Sequence, residues 1–282
     1  MTTSHPEIPN VLWNYWESDL EDLPPIVVLC QKSWATTGDF AEINRLGPHN
    51  ISKFLAPGDL PSTFSDLPPV RKADAVRLAL LARYGGFWAD AGILTTASIH
   101  SWVQPKASSH GFFVFQDVDK SRIMDNWFIG SHSSSPFLQE LNNRHTAFFA
   151  RKRIHEAHSL YKTPSRVATH SIVAIKRLLG QSVERTAAWA KFPLSSLPMY
   201  PYFVMHYMAN AMLDVPSLRE EFGTMSKVSA REPLALRKLV DQQQLKSASA
   251  RRVKSRAPLH KLNTYREYSP DELRVLSGLF QQ

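Results

Sequence analysis

Residues 68–92 constrain the fold most tightly, because they write a helix, a glycine corner and a strand in immediate succession. Pro68 and Pro69 open a stretch in which Val70, Ala73, Val76, Arg77, Leu80, Leu81 and Tyr84 recur at helical spacing, which predicts a helix with one apolar face. Gly85 and Gly86 end it, since glycine accepts the left-handed backbone that terminates helices and permits a sharp reversal. Phe87 and Trp88 then favour a strand, and Asp90-Ala91-Gly92 stands at its end, where loops carry functional groups. Asp74 and Arg77, at i and i+3, are neighbours on the helix surface. That order puts Asp74, Arg77 and Asp90 within reach of one ligand and points to an enzyme. The alternative is an ordinary helix-to-strand corner with a surface ion pair and an exposed Asp90.

The same alternation continues on both sides. Ile8 to Trp16 reads as an opening strand, Pro24-Pro25 starts a helix running to Thr37, and Asp39 to Ile43 reads as a second strand. Phe112 to Phe115 and Trp127 to Gly130 are further strands, so the fold class is α/β. Beyond residue 130 the chain turns largely helical, with helix starts at Ser135-Pro136, Thr163-Pro164 and Ser269-Pro270-Asp271-Glu272. Lys246 to Arg256, rich in bases, serine and alanine, is expected to be mobile.

With 282 residues and 43% hydrophobic content, one large core suffices. The expected organisation is a single domain over 1–282: an α/β core at 1–130 and a helical part at 131–282 ending in a basic loop and a last helix. Cys30 is the sole cysteine and sits among Ile26, Val27, Val28 and Leu29, which predicts a buried thiol and excludes a disulfide within the chain. No apolar run reaches the roughly 20 residues that span a bilayer, and the polar start carries no signal core, so a cytoplasmic protein is expected.

The net charge of +8 and pI near 9.6 call for an anionic partner. The excess gathers between Lys227 and Lys261, a tail suited to peripheral membrane contact. It lacks the aromatic interleaving of a single-strand nucleic-acid platform, so no nucleic acid is expected. The chain has no GxGxxG after its first strand, no phosphate loop, no HExxH and no GxSxG elbow. A carboxylate-and-arginine site, basic charge and an aromatic first strand remain. That set suits an activated sugar: a ring for the base, cations for the phosphates and carboxylates for hydroxyls. Fixed cations would lower the barrier by stabilising the departing diphosphate.

Five segments in order resemble the capsular polysaccharide synthesis proteins, grouped with the sugar-binding-region glycosyltransferases of family 32 and, more remotely, with the large clostridial glucosylating toxins. They are Ile8-Pro9 with Trp16; Ala73 to Arg77 followed by Tyr84 to Ala91; Asn126 to Ile129; Tyr202 to Tyr207; and Pro258 to Leu262. The resemblance implies a GT-A fold with a Rossmann-like nucleotide-sugar-binding sheet. It implies transfer of a hexose from a nucleotide-diphosphate sugar to a saccharide, lipid or small-molecule acceptor hydroxyl, with retention of configuration. Trp16 would stack on the base, and Asp74 and Arg77 would hold sugar hydroxyls. Asp90, with Ala91 beside it, would take the first place of the aspartate-any-aspartate motif and touch the ribose and a divalent cation, Mn²⁺ or Mg²⁺. Gly92 replaces the second aspartate, which removes one expected metal ligand. Asn126, His260 and Lys261 would complete the donor site, and His206 is either an acceptor contact or structural. Any inverting general base would be sought at Asp117, Asp119 or Asp125. A nucleotide-sugar-binding protein without turnover, and a basic membrane- or nucleic-acid-binding protein, are the alternatives.

Overall fold

Phe112, Phe113, Val114 and Phe115 are all buried, as a strand covered on both faces requires. The computed structural model describes residues 7–18, 22–107, 111–116, 120–152, 171, 174–176, 178–191, 201 and 203–281. Its elements begin with β1 (Val11–Tyr15), α1 (Pro25–Thr37), β2 (Glu42–Leu46), α2 (Pro69–Tyr84) and β3 (Gly86–Ala89). They continue with β4 (Ile93–Thr95), α3 (His100–Ala107), β5 (Phe112–Gln116), β6 (Phe128–Ser131) and α4 (Pro136–Phe149). After α4 the described residues add two short strands, β7 (Ser226–Ser229) and β8 (Leu259–Lys261), among helices that include Val204–Met212, Ala235–Asp241, Ser247–Lys254 and Pro270–Ser277.

Among the described residues, six strands form one mixed sheet in the order β2-β1-β3-β6-β5-β7. The β2-β1-β3 half is parallel, β6 is antiparallel to both of its neighbours, and β7 returns parallel to β5. Side chains alternate across the strands and split the core in two. Trp13, Tyr15, Trp88, Phe112, Val114 and Ile129 join α2, α4 and Val204–Met212 on one face. Leu12, Phe87, Phe113, Phe115 and Phe128 join α1, α3 and the C-terminal helices on the other. The result is a three-layer α/β/α arrangement, as the strand-helix alternation predicts.

This topology positions a site. From β1 the chain crosses through α1 to β2 on one side, and then through α2, on the opposite face, to β3 on the other side. Where strand order reverses in this way, a crevice opens outside the carboxyl ends of the adjacent strands, here β1 and β3. Trp16 follows β1 there and Asp90 follows β3.

The glycine corner holds as read. Gly85 has φ 66° and ψ −156°, a backbone region open essentially to glycine alone, and a Cβ there would meet the Ser131 carbonyl oxygen at 2.6 Å. Its carbonyl accepts the Trp13 indole N–H at 2.8 Å, tying the corner to β1. Ser135 and Ser269 cap their helices, donor nitrogens lying at 3.3 and 3.2 Å from their hydroxyls. Cys30 is fully buried, and burial pushes its thiol pKa far up.

Three expectations change. The second strand is Glu42–Leu46, not Asp39–Ile43, because Asp39 takes a left-handed φ of 58° to turn the chain out of α1. Residues 246–256, read as a mobile segment, carry a helix: Ser247–Lys254, anchored by buried Ala250 and Val253 and capped through the Lys246 N–H on Ser249 Oγ. The part beyond residue 130 also supplies β7 to the main sheet and β8 to a two-stranded sheet with β4. The helix start at Thr163 lies outside the described residues, as do Asp117, Asp119 and Tyr202. Among the described residues, no helix is long and apolar enough to cross a membrane.

Candidate functional site

Asp74 and Arg77 share a face of α2, and that face is turned inward, so they are 5% and 3% exposed. The pair is therefore not a surface ion pair. Arg77 Nη1 donates to Asp74 Oδ1 at 2.7 Å, and its Nη2 donates to Asp90 Oδ1 at 2.7 Å. One guanidinium thus clamps the helix carboxylate to the carboxylate at the end of β3, the bidentate bridging that arginine geometry favours. Asp90 Oδ1 also accepts the Trp88 indole N–H at 3.0 Å, and the guanidinium lies 4.8 Å from the Trp88 ring. Asp90 Oδ2 accepts from Lys261 Nζ at 2.7 Å. Asn126 Nδ2 lies 3.3 Å from Asp74 Oδ1.

Lys261 is brought in by backbone pairing. β8 runs antiparallel to β4 with Lys261 opposite Ile93, and the Leu262 N–H donates to the Gly92 carbonyl at 2.7 Å. A Cβ on Gly92 would lie 2.6 Å from the Leu262 carbonyl oxygen. Glycine at this position lets β8 approach the end of the Asp90 turn.

Two side chains escaped the sequence reading. Arg71, 5% exposed, stands 3.5 Å from Asp74 Oδ2 and donates through Nη2 to the Pro201 carbonyl at 2.7 Å. Its i,i+3 spacing to Asp74 was a usable signal, identical to that of Arg77 on the other side. Met205 places its sulfur 3.8 Å from Arg77 Nη1 and 3.7 Å from Asn126 Nδ2. No spacing in the sequence links residue 205 to α2.

Burial drives the Asp74 carboxyl above its ordinary range, against the pull of Arg77 and Arg71. Burial also works to raise Asp90, but Lys261 and Arg77 outweigh it and hold that carboxyl below the ordinary range. Among the described residues, Arg71 and Arg77 bracket Asp74 while Arg77 and Lys261 hold Asp90, in one charged cluster. Asp90 and Lys261 are its partly exposed members, at 28% and 17% of their side chains.

The remaining expected residues divide. Trp16 is half-buried at the end of β1, packed on the face that carries α1, with its indole N–H donating to Ser18 Oγ at 2.8 Å. Ala91 is buried in the same layer. Beside Trp16, the Tyr15 hydroxyl and the Lys72 ammonium both bond to Glu17. His206 is buried beside Met205 and bonds to the Met124 backbone, while burial and the nearby Arg122, Arg77 and Arg71 push its pKa well down. Asp125 is buried with Arg122 3.5 Å away. His260 does not join the cluster: strand alternation turns it opposite to Lys261, and it is fully buried. The basic tail is partly neutralised by Arg237–Asp241, Arg256–Glu232 and Lys227–Glu184.

The buried histidines predict acid sensitivity. Burial lowers His260 to about 4 and, with help from Arg71 and Arg77, lowers His145 to about 3. Both are neutral when folded, so their stabilisation is complete above the unfolded value near 6.5 and is lost as pH falls toward the folded values. Between pH 7.5 and 5.5 the two together should remove about 3 kcal/mol of stability. Urea unfolding across that range checks it; a flat profile, or one unchanged in His260→Gln and His145→Gln, contradicts it.

Residues 1–172 match the family model described as capsular polysaccharide synthesis protein. The chain is also 29% identical over 137 residues to the O-glycosyltransferase PaGT of Phomopsis amygdali, an alignment covering 42% of this chain and 34% of that protein. It therefore spans about a third of that relative's length. Among solved structures, the PaToxG glycosyltransferase superposes with a TM-score of 0.41 at 11% identity, over 97% of this chain and 88% of that one.

Proposed function

Since the chain belongs to the capsular polysaccharide synthesis protein family, we propose that its carboxyl-edge crevice is the donor site of a GT-A glycosyltransferase. It moves a hexose from a nucleotide-diphosphate sugar to an acceptor hydroxyl. One observation carries the reading: Arg77 bridges Asp74 and Asp90 at 2.7 Å each, with Lys261 on the free oxygen of Asp90, at the point where strand order reverses. The similarity to the O-glycosyltransferase PaGT supports it.

In this reading each group has a task. Trp16 offers its ring to the base and Asp90 accepts from the ribose. Asp74 and Asn126 reach the sugar hydroxyls, and Arg77 holds both carboxylates in place so that hydroxyl-binding geometry is set before the donor arrives. Lys261 faces the diphosphate. As the bond from the anomeric carbon to the phosphate oxygen breaks, negative charge grows on the diphosphate, where the Lys261 ammonium stabilises it. The acceptor oxygen bonds to the anomeric carbon on the same face, and its proton passes to the departing phosphate. Among the described residues, no side chain of the cluster is positioned as a free general base, since both carboxylates are held by cations. That arrangement suits front-face transfer with retention.

A panel of UDP- and GDP-sugars tested by thermal shift examines the reading. A cognate donor at a hundredfold excess over its Kd should stabilise the protein by about 2.7 kcal/mol. Asp90→Ala should abolish the shift and lower transfer or donor hydrolysis by about a hundredfold or more, the scale on which a lost positioning contact acts. A shift without turnover in either protein would instead identify a nucleotide-sugar-binding protein. No shift with any nucleotide sugar would refute the assignment of the crevice.

A further inference from the structure

We propose that the Lys261 ammonium stands where a divalent cation would otherwise sit, so that this crevice binds a nucleoside diphosphate without a metal ion. The inference rests on the transferase reading and concerns how the same site handles its phosphates.

The residues present offer a hard divalent cation little, since such an ion draws on one or two carboxylates beside waters and substrate phosphates, and the carboxylate here is already held by an ammonium and a guanidinium. Position 92, where a second carboxylate would be sought, is glycine, and the Leu262 carbonyl oxygen lies 2.6 Å from where its Cβ would be. The one carboxylate at the strand tip is already engaged at both oxygens. Arg77 and Trp88 donate to Oδ1, and Lys261 donates to Oδ2. Among the described residues, no group of three histidine, cysteine, aspartate or glutamate side chains is placed to hold a metal.

The same backbone contact accounts for both features. The Leu262 N–H bonds to the Gly92 carbonyl at 2.7 Å, and the Lys261 N–H bonds to the Pro233 carbonyl at 2.9 Å. β8 is thereby pinned against the Asp90 turn, which closes the space for a side chain at 92 and delivers Nζ to Asp90. A lysine ammonium has three donors. One goes to Asp90, which leaves two for phosphate oxygens, and the lysine side chain is still 17% exposed. The cation and the glycine are one device: the tether that supplies the charge removes the ligand.

Calorimetric titration of UDP and GDP into the full chain, in EDTA and in excess Mn²⁺, tests this. The diphosphate that binds should do so with affinities equal within about threefold in the two conditions, a difference well below one decade. Lys261→Ala should weaken it about tenfold or more, as expected for a lost charge-assisted contact, while Lys261→Arg keeps most of the affinity. Far-UV dichroism and thermal melts of both variants establish that they fold. Binding that disappears in EDTA and returns with Mn²⁺ overturns the proposal and leaves the transferase reading standing. So does a folded Lys261→Ala protein that binds like the wild type. If neither diphosphate binds under any condition, both are overturned.

Discussion

Arg77→Met should lower the stability of this protein by about 3–5 kcal/mol, the cost of removing one partner from a buried ion pair. Methionine keeps most of the side-chain volume against Trp88 but removes both donors that Asp74 and Asp90 share. Asp74 is 5% exposed and keeps only Arg71, 3.5 Å away, and the weaker Asn126 contact. Burial already drives its carboxyl pKa up with Arg77 present, so without it the carboxyl shifts further toward its neutral form. Thermal unfolding at pH 7.5 should show a drop on the order of 10 °C for a chain of this size. Adding Asp74→Asn should recover part of the loss, because the stranded charge rather than the missing contact dominates the cost. A loss under about 1 kcal/mol would mean that the pair behaves as a solvent-screened surface bridge.

The second large effect runs against the motif. Gly92→Asp would rebuild the aspartate-any-aspartate pattern on paper, yet it should weaken both the fold and donor binding. The new Cβ meets the Leu262 carbonyl oxygen at 2.6 Å and Thr264 Cγ2 at 3.0 Å. The first of these is backbone, so β8 must withdraw from β4 and carry Lys261 away from Asp90. Overpacking of this kind costs about 1–3 kcal/mol, to which the lost Lys261–Asp90 contact adds. Donor affinity should fall about tenfold or more with the displaced ammonium. Thr264→Ala in the same chain should not rescue it, because the backbone contact remains. Denaturant melts and nucleotide titrations with and without Mn²⁺ decide the matter. A stable variant with improved, Mn²⁺-dependent binding would show that the second acid is merely missing rather than excluded.

Much of the scaffold was readable from residue order. The apolar periodicity of α2, the glycine pair and the aromatic pair after it correctly produced helix, corner and strand, since each choice is local and has a steep steric or burial basis. The serine-proline helix starts were legible for the same reason. Short polar strands were not. Ser226-Lys227-Val228-Ser229 has little strand character of its own and exists because β5 offers it an edge with which to pair. Asp39 belonged to a turn rather than to β2 because its left-handed φ depends on how α1 exits.

At the site, Asp74, Arg77 and Asp90 could be named from spacing, because a helix fixes which residues share a face and a glycine corner fixes what comes next. Lys261 was named by resemblance, and its partner only by tertiary structure: a contact across 171 positions leaves no periodic trace. His260 shows the converse. It sits beside Lys261 in sequence, but strand alternation sends it into the core. Sequence alone therefore determined the layered α/β architecture and the acid–base pair on its second helix, because both follow from short-range sterics and burial. Tertiary packing decided that Arg77 would be buried between two carboxylates, that Arg71 and Met205 would close around it, and that Gly92 would make room for β8. Those outcomes depend on which distant segments come within a few ångströms, and that is set by the whole core at once.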